Sequence, residues 1–198
     1  VVDYARFRAV VERERRPFRQ WSTRMRERMD ATDYDASSFR YHAYCQARAE
    51  EQMAALAQSA RAAGVGLYKD LPLGAHPSGY DALRYAGELV EDCSTGAPPD
   101  ALFEGGQSWG FSPIHPEKAS AAGHTYFLAS LRHQMRYAST LRIDHVMGLF
   151  RLYWIPRGLG AKHGAYVRNR ADELLAICAL ESVRARAFVV GEDLGTVE

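Results

Sequence analysis

The chain has 198 residues, close to the upper size of one ordinary domain. It is 47% hydrophobic and 25% charged, a globular balance too apolar for a disordered polymer. The formal net charge is +1, so no bulk attraction draws the chain to nucleic acid or to an anionic membrane surface. No apolar run approaches the roughly 18–20 residues that span a bilayer. The N-terminus lacks the basic-then-apolar pattern of a signal peptide; it also lacks an initiator Met, so the start of the protein is expected to be missing. Cys45, Cys93 and Cys178 are odd in number and widely spaced. That argues against a disulfide framework or a CxxC metal site, and for reduced thiols in a cytoplasmic protein. Eleven Tyr and three Trp suit a ring-shaped ligand and an ordinary core equally well.

Residues 1–29 read as helix, with Phe18, Trp21 and Met25 as an apolar stripe and interleaved Arg and Glu as its solvated face. Residues 30–38 are turn-forming and divide the chain into a helical segment, 1–38, and a second region, 39–198. A helix is expected from Phe39 to about Ala63. Cys45, Ala49, Met53, Leu56 and Ala60 line one face, and Gly64 is its terminator. Residues 65–71 read as a strand ended by Pro72 and Gly74. Residues 75–115 hold most of the Gly and Pro and read as a long loop of functional type. A helix over 117–138 follows, with Phe127, Leu131, Met135 and Ala138 on one side. Residues 141–146 read as a strand, 150–166 as a looser segment, 171–184 as a helix with Leu174, Ile177, Cys178 and Glu181 at helical spacing, and 187–195 as an apolar strand.

Strands alternating with helices imply parallel strands joined by right-handed crossovers. Three strands are too few to close an eight-stranded barrel, so the fold class expected is α/β, a fragment of a (β/α)8 barrel. Function in such folds gathers at the carboxyl ends of the strands. Three of those ends carry polar groups: Lys69-Asp70, the Arg142-Asp144-His145 run, and Glu192-Asp193.

Period-two alternation puts Arg142 and Asp144 on one side of their strand with Ile143 opposite. This sets a cation beside the carboxylate that a nucleophile at a sugar C1 has to be. Glu192 follows the apolar run Phe188-Val189-Val190, where burial is expected to push a carboxyl toward protonation, as a general acid requires. A retaining glycosidase needs such a pair roughly 5–5.5 Å apart. Each acid alone could equally be a salt-bridge partner or a solvated group. Asp144, His145, Glu192 and Asp193 are also hard-ligand types, but no HxxE or HExxH spacing supports a metal.

Several blocks in order carry a resemblance: VGLYKDLPLG at 65–74, GAPPDALFEGGQSWGFSPIHP at 96–116, LRIDHVMGLFRLYWIP at 141–156, GAYVRNRADELLAICALES at 164–182 and VVGEDLGTVE at 189–198. Over residues 39–198 the chain resembles the 4-α-glucanotransferase family (amylomaltase or disproportionating enzyme), more weakly over 1–38. The resemblance implies a (β/α)8 barrel that moves α-1,4-glucan segments to a sugar 4-hydroxyl with retention. It implies no metal and no organic cofactor, with malto-oligosaccharides as partners. It assigns Asp144 as nucleophile, Glu192 as acid and base, Arg142 as support for the nucleophile, and His145 as a donor-sugar contact. Asp100, Gln107 and Trp109, in the PPD and GQSWG signatures, are expected along the glucan groove; Asp70 is expected to orient substrate or to serve structure. The family's third carboxylate, in a later His-Asp motif, is not met before Glu198, so the chain alone is expected to be inactive.

Overall fold

The computed structural model describes residues 1–194; Gly195, the last residue of the expected final strand, and residues 196–198 lie outside them. The described chain packs as two units, Val1–Val65 with Ser78–Arg84, and Gly66–Pro77 with the chain from Tyr85 onward.

In the first unit, the stretch expected as one helix is three pieces. Helix α1 (Val2–Glu14) ends at Arg15, which is left-handed at φ 53°. Pro17, with no amide hydrogen to continue a helix, precedes a 3-10 turn at Phe18–Gln20. Ser22 then accepts from the Met25 amide to start α2 (Thr23–Glu27). The apolar spacing still marks the core: Phe18, Trp21 and Met25 are all buried, and the Phe7 ring lies 5.6 Å from Trp21 and 6.5 Å from Phe18. The turn-forming stretch closes through a reciprocal Asp30–Asp33 capping box, with Arg24 paired to Asp33.

Helix α3 runs Ala36–Ala62. Gly64 terminates it as expected, at φ 74°, where its amide donates to Arg61 and the Val65 amide to Ala60, the two bonds of a Schellman cap. The inward face differs from the stripe read from sequence. Ala57 is buried while Ala49 and Leu56 are exposed, because the side that meets α1 is rotated by about a residue from the most apolar one. Helix α3 packs with α1, so the first compact unit runs through Val65. The short helix α4 (Tyr80–Arg84) completes this unit, its Tyr80 ring 5.8 Å from Phe7.

The second unit is built on the expected parallel sheet. Strands β1 (Tyr68–Leu71), β4 (Thr140–Ile143) and β7 (Phe188–Gly191) pair in the order β1-β4-β7, all parallel. The intervening helices are α5 (Pro116–Ala121), α6 (Thr125–Met135) and α7 (Ala171–Ala185). The helix expected over 117–138 is interrupted where Gly123 and His124 both take positive φ. Phe127, Leu131, Met135, Leu174 and Cys178 nevertheless meet Leu71, Leu141, Ile143 and Leu149 in one core. Glu181, on the inward stripe of α7, is 5% exposed. It tolerates burial because Arg132 grips both its oxygens at 2.9 and 3.0 Å and Arg184 adds a third bond.

The main surprise lies in the two segments read as loops. Strands β2 (Cys93–Ala97), β3 (Gln107–Ser108), β5 (Arg151–Pro156) and β6 (Ala165–Arg168) form an antiparallel sheet in the order β3-β2-β5-β6. Segments as short as QS or as Gly-rich as CSTGA carry no alternating apolar signal, so only long-range pairing reveals them.

Leu131 is fully buried at the centre of the main core. Leu131→Ala is expected to destabilise the second unit by about 2–5 kcal/mol, seen as a lower unfolding midpoint in urea followed by circular dichroism.

Candidate active site

The alternation in β4 sets the geometry. Leu141 and Ile143 face the core, so Arg142 and Asp144 emerge on the other side at the carboxyl end of the middle strand. The parallel register places Asp70 of β1 directly beside Arg142, and Glu192 follows β7 at the same end. Three acids from three adjacent strand ends therefore surround one guanidinium.

Arg142 Nη1 donates to both Asp70 oxygens at 2.9 and 2.7 Å. Its Nη2 lies 2.9 Å from Asp144 Oδ1 and 4.0 Å from Glu192 Oε2. Pairing with Asp70, then with Asp144, raises the Arg142 pKa further, so its positive charge is permanent. Asp70 thus anchors the arginine that holds Asp144. The Asp144 side chain is 43% exposed and that of Glu192 14%, so the first opens to a ligand while the second sits deeper.

Glu192 departs from the sequence reading. Instead of being pushed toward protonation, it is held below the usual carboxylate range. The Leu194 amide donates to Oε1 at 2.8 Å and the His145 amide to Oε2 at 2.9 Å, and Arg142 and His145 add attraction; together these outweigh burial. Of the run Phe188-Val189-Val190, Val189 packs against the main core while Phe188 and Val190 are exposed.

His145 makes this possible. It takes a left-handed conformation, φ 50° and ψ 61°, uncommon for a residue with a side chain. The chain thereby turns sharply after Asp144, so the His145 amide meets the Glu192 carboxylate and the Val146 amide meets the Glu192 carbonyl at 2.8 Å. Burial lowers the imidazole pKa, against the pull of Glu192 and Asp144. When unprotonated, the ring offers one hydrogen-bond donor and one acceptor.

The antiparallel sheet brings the remaining aromatic group. The Trp109 ring lies edge-on to His145 at 5.2 Å between centroids, and its indole N–H donates to Gln107 Oε1 at 3.3 Å. Asp70, Arg142, Asp144, His145, Glu192, Trp109 and Gln107 thus form one connected set. Asp100 plays a different part. One of its carboxylate oxygens accepts from the Leu102 and Phe103 amides at 2.8 and 2.6 Å, closing the turn that leads to Gln107. Sequence reasoning did not single out Asn169 or the Leu194 amide. The Leu194 contact is made by backbone and has no side-chain signature.

Gly96 of β2 fixes where Trp109 stands. A Cβ there would overlap the Gln107 carbonyl and come 2.5 Å from Ile155 Cδ1. Gly96→Ala is therefore expected to shift β3, with Gln107 in it and Trp109 just after it. A changed tryptophan emission spectrum of the variant against wild type would report the shift directly.

Comparison with known proteins matches this geometry to a family. The 4-alpha-glucanotransferase family model matches residues 1–198. The chain is 37% identical to a 4-alpha-glucanotransferase of Mycobacterium tuberculosis over 203 residues, covering 99% of this chain and 28% of the relative. It is 43% identical over 159 residues to that of Haemophilus influenzae, covering 79% and 23%. The amylomaltase structure from Corynebacterium glutamicum superposes with a TM-score of 0.83 at 36% identity, over 100% of this chain and 27% of that one. An amylomaltase from Streptococcus agalactiae, solved in complex with acarbose, shares the fold at a TM-score of 0.86 and 19% identity, over 100% and 42%. The chain spans about a quarter of the length of the first two relatives. With the blocks read from sequence, the strand-end acids and a family match from end to end, the chain belongs to the 4-alpha-glucanotransferase family.

Proposed function

We propose that the full-length protein moves an α-1,4-glucan segment to the 4-hydroxyl of glucose or another glucan by a retaining double displacement, and that β1, β4 and β7 are three strands of its (β/α)8 barrel. The observation that carries this reading is the Arg142 hub, which gathers Asp70, Asp144 and Glu192 at one sheet end. Both distances from Arg142 Nη2 place Asp144 Oδ1 and Glu192 Oε2 within about 7 Å of each other, room for a retaining pair at roughly 5–5.5 Å.

In the first step an Asp144 oxygen attacks C1 of the donor glucosyl unit. The C1–O bond to the leaving chain breaks, and that oxygen takes the proton carried by Glu192. Arg142 keeps the attacking carboxylate oriented. In the second step Glu192, now ionised, removes the proton of an incoming 4-hydroxyl, which displaces Asp144 from C1 and restores the α linkage. Since its amide donors favour the ionised form of Glu192, the carboxylate takes up its proton from solvent as a bound glucan excludes water and raises the cost of the charge. His145 and Gln107 are placed to read sugar hydroxyls, Trp109 to offer a stacking face, and Asp100 to shape the groove wall through its turn. The residues supply this chemistry without metal or organic cofactor.

Incubation of the full-length protein with maltotriose tests the reading by product analysis. Glucose together with oligosaccharides longer than the substrate is the expected result. Glucose and maltose with nothing longer would make it a hydrolase on the same scaffold; binding without products would make it a glucan-binding protein. Among the described residues no helix is long and apolar enough to cross a membrane.

A further inference from the structure

Asn169 lies between β6 and α7, outside the set of strand-end acids. Its side-chain amide donates to the Gly148 carbonyl at 2.5 Å and its backbone amide to the Phe150 carbonyl at 2.8 Å. These two carbonyls belong to the 3-10 turn Val146–Leu149 and the residue closing it. The other end of that turn is His145, held in its left-handed conformation with its amide on Glu192. The turn is gripped from a third side by β7: a Cβ on Gly191 would lie 2.6 Å from Val146 Cγ2, so strand and turn are in direct contact just before Glu192.

A left-handed residue with a side chain persists only where its surroundings over-determine it. Leu149, buried in the main core, anchors the turn by packing, and Asn169 supplies the hydrogen bonds that fix its far end. Without the side-chain donor, Gly148 has one fewer restraint, and His145 can relax toward the ordinary backbone regions. Relaxation would swing its amide away from Glu192 and its ring away from Trp109.

We propose that Asn169 is a positioning residue for the acid/base: by clamping the turn after Asp144 it holds the His145 amide on the Glu192 carboxylate. The groups facing Glu192 are Arg142, the His145 amide and ring, and the Leu194 amide. Removing one of two amide donors leaves the carboxylate less favoured in its charged form, so its pKa rises.

The inference rests on the proposed transfer reaction for its kinetic arm only. In the full-length protein, Asn169→Ala and the similarly sized Asn169→Leu are expected to lower kcat/KM for maltotriose by about ten- to a hundredfold. The limb of the pH profile reporting Glu192 should move up by about half a pH unit or more. Amide hydrogen exchange over residues 145–150 should accelerate by about tenfold or more. Tyr153→Phe is the control, since it removes a 2.7 Å bond to the Ala161 carbonyl in the same sheet region without touching the turn. It should lower stability and move neither the pH limb nor that exchange. Folded Asn169 variants with wild-type exchange over 145–150, or with an unmoved pH limb, would overturn the proposal. If the wild-type protein makes no transfer products, the functional reading fails, while the exchange measurement still decides the role of Asn169.

Discussion

Asp144→Asn in the full-length protein is expected to reduce maltotriose turnover by at least about four orders of magnitude, with longer oligosaccharides vanishing from the product mixture. Asparagine has nearly the same shape and keeps an oxygen for the Arg142 bond, now 2.9 Å. The replaced side chain is 43% exposed, so no core packing is lost. What disappears is the negative charge that attacks C1 in the proposed reaction and the oxygen that would carry the glucosyl unit between its two steps. Unfolding midpoints and maltotriose affinity close to wild type would separate lost chemistry from lost structure. Transfer surviving in this variant would remove Asp144 from the role of nucleophile and return the Arg142 hub to a purely structural one.

The second large effect belongs to Glu192. Glu192→Gln is expected to lower transfer from maltotriose by about two to four orders of magnitude, the range for loss of a positioned acid and base. A maltosyl fluoride donor should bypass the first half of the loss, because fluoride departs as an anion and needs no proton. With that donor and no acceptor-activating base, Asp144 should accumulate as its maltosyl ester, visible as the added mass of one maltosyl unit on the peptide containing residue 144. No such adduct, with both donors slowed alike, would mean that Glu192 does not act as the acid.

The pH behaviour has a definite sign. Because the folded pKa of Glu192 is lowered from 4.5, its carboxylate stabilises the fold fully above the ordinary carboxylate range. That contribution fades as pH falls through the folded value. Glutamine cannot titrate, so stability in the variant should depend less steeply on acid pH than in wild type, as unfolding midpoints across that range would show.

Local pattern was enough for part of this molecule. Helix-period spacing named Phe127, Leu131, Met135, Leu174 and Cys178 as inward-facing, and they share one core with the strand residues Leu141 and Ile143. Alternation in β4 paired Arg142 with Asp144, as their ion pair bears out, and Gly64 marked the end of α3. Periodicity served because it depends only on which face of an element meets apolar neighbours.

Other features depend on what comes from elsewhere in the chain. The antiparallel sheet joins β2 to β5, pairing Cys93 with Pro156 and Gly96 with Tyr153, and the partner strand β2, CSTGA, has no alternating apolar pattern to announce it. The inward face of α3 was set by its packing against α1, overriding the more apolar stripe. The charge state of Glu192 inverted the expectation because two backbone amides, from His145 and Leu194, reach it. Backbone donors belong to every sequence alike. The chain's residue types determined which acids could do chemistry and which faces would be buried, since both follow from local side-chain character. Only the tertiary structure decided how those acids are held, because Arg142, Asp70 and Glu192 meet through strand register, and the field at a carboxylate is the sum over every donor and charge that folding brings within reach.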